Sequence, residues 1–234
     1  MSAIIQCRGV AKTYRQGSVE VPAVRGVDLD ILPGDFATLA GPSGSGKTTL
    51  LGLIGGLDRP TAGEISVDGQ PIAKMDTNQL ADLRLHKIGF VFQSYSLIPV
   101  LSAQENVEFI LDLLKTPSGE RRARARDVLH QVGLAGMEDR RPARLSGGQQ
   151  QRVAVARALA SRPAIVLADE PTANLDSKTA EELIELMAQL NTNLGITFLI
   201  ATHDSRVMAH SRRLIEMSDG VITRDERRGQ GLAA

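Results

Sequence analysis

The chain has 234 residues, 42% of them hydrophobic, enough to bury the core of one generous domain or two small ones. Its 27 lysines and arginines balance 27 aspartates and glutamates, which excludes a bulk basic field for nucleic acid and an acidic, disordered chain. A single cysteine, Cys7, excludes an internal disulfide framework and a multi-cysteine metal site and reads as a small buried hydrophobe. No apolar run approaches the ~20 residues of a membrane-spanning helix, and the N-terminus lacks the plan of a secretory signal. The expectation is a soluble, unexported chain whose membrane role comes through a partner.

Residues 4–14 and 21–32 read as extended stretches separated by a turn at Gly17 and Ser18, and Pro33, Gly34 and Asp35 make the next turn. Residues 36–40 form a short apolar run of the buried-strand kind, and Thr49 to Ile54 opens a helix with an apolar face. Alternation returns over residues 64–72 around an Asp68, Gly69 turn, and residues 88–93 are another apolar strand. Strand signals then vanish from Ser102 to Ala160, where Val107, Ile110, Leu111 and Leu114, and later Val128, Leu129 and Val132, keep helical spacing. Residues 164–169, 196–202 and 213–222 read as strands, the first two separated by an amphipathic helix carrying Ala180, Leu183, Ile184, Met187 and Leu190. This order predicts an α/β fold with a parallel sheet and right-handed crossovers. The segment 224–234, rich in arginine and glycine, reads as a loose tail.

Between the predicted strand 36–40 and the following helix lie Gly41, Pro42, Ser43, Gly44, Ser45, Gly46, Lys47, Thr48 and Thr49. This is a phosphate-binding loop: glycines let backbone N–H groups curl round a phosphate, and the helix start adds partial positive charge. Lys47 is placed to reach the β- and γ-phosphates, and the Thr48 hydroxyl to ligate Mg²⁺. The strand 165–168 ends in Asp169 and Glu170. At the C-terminal edge of a parallel sheet, Asp169 would hold Mg²⁺ and Glu170 would polarise the attacking water; the alternative is a pair of helix-capping carboxylates. His203 follows a third strand and reads either as a γ-phosphate donor or as a structural one. Ser146, Gly147, Gly148 and Gln149 open the helical-looking 150–160 segment, either an ordinary cap or a second anion site. Two incomplete phosphate sites in one chain suggest two copies sharing nucleotides head to tail across a two-fold axis.

In these residues the chain resembles the ABC-type ATPases, the nucleotide-binding domains of ATP-binding cassette transporters, over nearly its whole length. The resemblance implies a P-loop NTPase core with an N-terminal antiparallel β subdomain (1–92 and 161–223) and an inserted helical subdomain (93–160). It matches Gly41 to Thr48 with Walker A, Gln93 with the Q-loop glutamine, Leu145 to Gln149 with the signature motif, and Ile165 to Asp169 with Walker B. Glu170 matches the catalytic glutamate, Asn174, Leu175 and Asp176 the D-loop, and His203 the switch histidine, while Tyr14 fits the aromatic that stacks on adenine. It further implies ATP and Mg²⁺ as cofactors, Gln93 linking Mg²⁺ and the attacking water to the helical subdomain, and the Ser146 to Gly148 segment closing on the other copy's ATP. Gly55 to Thr61, Phe90 to Gln93, Glu105 to Val107 and Leu167 to Thr172 resemble the lipoprotein-release, MacB-type macrolide-exporter and FtsE-like branch. Ala173 and Ala40 depart from that branch, which usually carries Gly and Met there.

The resemblance implies an Mg²⁺-dependent ATPase, a homodimer peripheral to the cytoplasmic face of the inner membrane, that drives permease subunits. A second expectation is an FtsE-like regulatory module of an envelope or division complex. Action on nucleic acid is not expected, since such relatives carry two cassettes or a long coiled-coil insertion. The apolar residues 94–102 are read either as part of a groove for a permease helix or as core packing.

Overall fold

The computed structural model describes residues 2–228. β1 (Ile5–Gln16) and β2 (Val19–Ile31) form a long antiparallel hairpin, and β4 (Ala62–Val67) and β5 (Gln70–Pro71) complete a four-stranded sheet in the order β2-β1-β4-β5. The second sheet contains β3 (Phe36–Ala40), β6 (Ile88–Phe92), β7 (Ile165–Asp169), β8 (Phe198–Thr202), β9 (Arg213–Ser218) and β10 (Val221–Arg227). Its order is β10-β9-β3-β8-β7-β6, parallel throughout except for the β9/β10 pair.

Every residue of β3 and β8 is buried, because helices or the first sheet cover both faces of these strands. That double cover is why their sequences are continuous apolar runs without alternation. On one face Leu39, Leu167, Leu199 and Ile215 pack with the first sheet and α1 (Lys47–Ile54); on the other Phe36, Val166, Phe198 and Ile200 pack with helices. Those helices are α3 (Ala103–Leu113), α4 (Ser118–Gln131), α5 (Gly147–Leu159) and α6 (Ser177–Leu194), and no strand interrupts residues 93–164. Cys7 is fully buried in β1, and burial pushes its thiol up to about 12, so it packs as a hydrophobe.

Three features depart from the sequence reading. α2 (Thr77–Lys87), which periodicity does not reveal, buries only Leu80 and Leu83 and is started by a reciprocal capping box between Asp76 and Gln79. α7 (Ser205–His210), capped by Asp204, is a second helix that the sequence pattern does not reveal. The strand expected over 213–222 is a hairpin that reverses at Asp219 and Gly220, both at positive φ, so the tail expected from residue 224 is ordered strand as far as Arg227. Its arginines find carboxylates: Arg224 reaches Glu226 at 2.8 Å, and Arg227 reaches the buried Asp35 at 2.9 Å. The remainder of that expected tail, 229–234, lies outside the described residues. Among the described residues no helix is long and apolar enough to cross a membrane.

Candidate active site

The parallel pairing brings three strand ends together. Ala40 of β3 pairs with Thr202 of β8, and Ala201 of β8 with Asp169 of β7, so the segments leaving these strands emerge side by side. A cleft of about 480 Å³ opens there, lined by Pro42, Ser43, Gly44, Gly46, Lys47, Thr48 and Thr49 and also by Gln93, Glu170, Ala173 and His203.

The loop side is built by backbone geometry. Gly46 holds φ at 100°, and a Cβ there would meet the Ala23 carbonyl oxygen at 2.4 Å, so only glycine lets the loop lie this close to β2. No side chain caps α1, which leaves its first N–H groups pointing toward the loop without a side-chain partner. Lys47 is buried, and its Nζ donates to the carbonyls of Gly41 at 2.7 Å and Pro42 at 2.9 Å, folding the ammonium over the loop with one donor left. In the same loop the buried Ser45 hydroxyl has no hydrogen-bond partner among the described residues. A concave loop with unused donors and a fixed cation fits a phosphate chain.

Thr48 Oγ1 donates to Asp169 Oδ1 at 3.1 Å, bringing two hard oxygen donors together. Burial pulls the Asp169 carboxyl above its ordinary range; Thr48 opposes the shift, Glu170 next door adds to it and Lys47 opposes it. A partly buried carboxylate beside a hydroxyl suits Mg²⁺. Among the described residues no group of three or more histidines, cysteines or carboxylates is placed to hold a metal. Thr48 and Asp169 supply two oxygens, a set that fits a cation taking the rest from phosphate and water.

Glu170 leaves β7 at φ 46°, a sparsely populated conformation for a residue with a side chain. Its N–H donates to the Ala201 carbonyl at 2.9 Å, its Oε2 accepts from Thr202 Oγ1 at 2.9 Å, and its Oε1 lies 2.8 Å from His203 Nδ1. Since a carboxylate accepts, the His203 proton sits on Nδ1, and Nε2 has no hydrogen bond among the described residues. The Gln93 carbonyl accepts from Asn174 Nδ2 at 2.9 Å, tying the end of β6 to the segment after Glu170.

Other expected residues lie elsewhere. Ser146 is exposed at the start of α5, in a capping box with Gln149: Ser146 Oγ accepts from the Gln149 N–H at 3.2 Å, and Gln149 Oε1 from the Ser146 N–H at 3.0 Å. Gly147 follows, and Gly148 packs so closely on α6 that a Cβ would meet Thr179 Cγ2 at 2.2 Å. Asp176 caps α6, accepting from the Thr179 N–H at 3.1 Å and from Thr179 Oγ1 at 2.6 Å. None of Ser146, Gly147, Gly148, Gln149 and Asp176 lines the cleft. Tyr14 also stands outside its lining, with 40% of its surface exposed. Its hydroxyl donates to Asp58 at 3.0 Å, and Lys12 sits 4.9 Å over its ring while bonding the other Asp58 oxygen at 2.7 Å. Thr202, which holds Glu170, was not singled out in the sequence, although a threonine ending an apolar strand beside His203 was the available signal.

A family model described as ABC transporter matches residues 24–173. An ABC transporter ATP-binding protein of Thermotoga maritima is 46% identical over 98% of this chain and 97% of its own length. The macrolide export ATP-binding/permease protein MacB of Syntrophobacter fumaroxidans is 47% identical over 94% of this chain, which spans only 31% of that relative. The solved dimer of the ATP-binding cassette MJ0796, a protein of Methanocaldococcus jannaschii, in a post-hydrolysis state with ADP and Pi, superposes with a TM-score of 0.88 at 44% identity. That match covers 96% of this chain and 99% of the other.

Proposed function

The chain belongs to the ABC transporter family as an ATP-hydrolysing cassette, and from that premise we propose that two copies close head to tail on ATP to drive a membrane permease of the MacB-like type. The observation that carries the reading is a division of labour. Gln93, Lys47, Thr48, Glu170 and His203 share one cleft, while Ser146, exposed at the head of α5, is not in that cleft's lining. A second copy is what would bring Ser146, Gly147, Gly148 and Gln149 to the nucleotide.

In this scheme the α1 N–H groups and the remaining Lys47 donor hold the β- and γ-phosphates. Thr48 and Asp169, with Gln93 beside them, hold Mg²⁺, which when bound offsets the negative charge of the phosphate oxygens. Glu170, oriented by Thr202 and His203, retains carboxylate lone pairs to accept a proton from the attacking water. In its imidazolium form His203 donates from Nδ1 to Glu170 and from Nε2 to the γ-phosphate. Asp176 lies near the dimer contact at the head of α6, and Tyr14, braced by Lys12 and Asp58, offers a ring face to adenine. Ser146 Oγ already accepts from Gln149, so its own proton is the one available to a phosphate oxygen of the other copy.

For the permease, an apolar groove of about 310 Å³ lies between the sheet and the helices, lined by Leu57, Leu85, Phe90, Phe92 and Ile110. It suits an amphipathic helix end, and the MacB relative's combined ATP-binding/permease name supports such a partner. None of the residues 94–102 is in its lining; the buried Asn106 clasps that segment through the N–H and carbonyl of Ile98 and the Leu101 carbonyl.

The test combines turnover, size and capture. Glu170→Gln is expected to keep ATP binding, slow hydrolysis by about 10²–10⁴-fold and run as a dimer in ATP. Parental turnover removes Glu170 from the role. Affinity capture of the tagged variant from gently solubilised membranes is expected to bring down a permease; recovery of only division proteins instead favours the regulatory reading.

A further inference from the structure

Gln151 sits on the buried face of α5 with none of its surface exposed. Its Nε2 lies 3.2 Å from the carbonyl oxygen of Phe92 and 2.8 Å from that of Pro171. Both neighbours can only accept, so the amide's orientation is settled by chemistry: the NH₂ group faces them and donates one proton to each. Its Oε1 has no partner among the described residues. Both donors of this buried side chain are thus spent on two backbone carbonyls, and they are its only hydrogen bonds among the described residues.

Those carbonyls have a particular address. Phe92 is the last residue of β6 and immediately precedes Gln93; Pro171 immediately follows Glu170. Phe92 and Asp169 are register partners in adjacent parallel strands, and beyond that pair the ladder ends. One amide therefore bridges the two chain segments where they leave the sheet, at the point where each presents a cleft residue. It does so from α5, the helix that Ser146 caps one turn earlier. Both hydrogen bonds are directional, so a rotation or slide of α5 cannot preserve them unless the Gln93 and Glu170 segments move with it.

We propose that Gln151 is a positioning residue for hydrolysis: it couples the α5 helix, and hence Ser146 and Gly147 at its head, to the placement of both Gln93 and Glu170. The proposal rests on the assignment of Gln93 and Glu170 to hydrolysis made above. Gln151 touches no cleft surface, so it acts through those two segments and not on the nucleotide.

The experiment is steady-state ATP turnover and equilibrium ATP binding by the intact chain carrying Gln151→Met, which conserves length and volume but removes both donors, alongside Gln151→Glu, which keeps the shape and replaces the amide by an acceptor. The expected result is a fall in kcat of about tenfold or more, with KM and ATP affinity within about twofold of the parent, since no phosphate contact is lost. In a Gln93→Ala background the further loss from the Gln151 change is expected to shrink severalfold, because one of its two targets is gone. Parental kcat in a folded variant overturns the proposal. So does a rise in KM at constant kcat, or full additivity with Gln93→Ala. If Gln151→Met does not fold, Gln151→Glu carries the same comparison. Parental turnover in Glu170→Gln sinks the site assignment itself, whereas an impaired Glu170→Gln beside a fully active Gln151→Met sinks only the role of Gln151.

Discussion

At the scale of single residues, the site is a set of side chains held short of their usual freedom. Glu170 has its carboxylate occupied by Thr202 and His203 and its backbone in the left-handed region, so its position is defined from three directions. Asp169 is the electrostatically costly member. Burial raises its folded-state pKa above the unfolded value, so the shift favours the folded chain below the unfolded pKa and that contribution is lost as pH rises through the folded pKa. Asp169→Asn is therefore expected to raise the melting temperature of the nucleotide-free chain at pH 7.5, with the gain fading as pH falls through the raised folded pKa and gone once pH is below the ordinary aspartate range, while Mg²⁺-dependent turnover drops. A variant less stable than the parent at pH 7.5 contradicts that account. The positions of Lys47 and Glu170 at the cleft and of Asp169 at the end of β7 were legible in the sequence because each follows or ends an apolar strand run. Gln151 was not, since a glutamine among glutamines shows its importance only when a buried helix face is known. Its one trace was polarity within the stripe formed with Gly148, Val155 and Ala158.

At the scale of elements, local chemistry decides where helices and hairpins begin. The Asp68, Gly69 turn was legible as a strand break, whereas the equivalent Asp219 and Gly220 pair was passed over inside an apolar run; both aspartates adopt positive φ and both pairs join antiparallel strands. α2 escaped the periodicity reading because only two of its side chains are buried leucines, yet its Asp76 and Gln79 capping pair marks its start. The same motif at Ser146 and Gln149 caps α5, and the proposed function gives Ser146 a second duty. Ser146→Ala is expected to cost about 1 kcal/mol through the lost cap, roughly 2–4 °C in Tm. Placed on Glu170→Gln, it is expected to leave monomer ATP affinity intact and weaken the ATP-induced dimer in sizing experiments. Equal loss of both properties argues against a site shared between copies.

At the scale of the molecule, one ionic cluster closes the large sheet. Asp35, in the turn before β3, accepts from Arg213 of β9 at 3.0 Å and from Arg227 of β10 at 2.9 Å, and Arg213 also reaches Asp225 at 2.6 Å. Asp35 and Arg213 are both buried, so removing Asp35 leaves the Arg213 guanidinium with Asp225 as its remaining carboxylate and takes the Arg227 contact as well. Asp35→Ala is expected to lose about 2–3 kcal/mol in chemical denaturation, since Arg213 keeps Asp225, and Arg227→Ala, whose side chain is half exposed, well under half of that. Similar losses for the two would mean that the buried pair is not what holds the edge.

The sequence by itself determined the α/β class, the phosphate loop, the acidic strand end and the helical stretch between β6 and β7, because apolar periodicity, glycine spacing and capping are local properties of a chain. Only the tertiary structure decided which of these meet. Strand order is set by pairing between residues far apart in sequence, such as Ala40 with Thr202 and Phe92 with Asp169. That order gathers Gln93, Glu170 and His203 over the loop, sets Ser146 outside it, and turns an arginine-rich tail into an edge strand by supplying the buried carboxylate of Asp35.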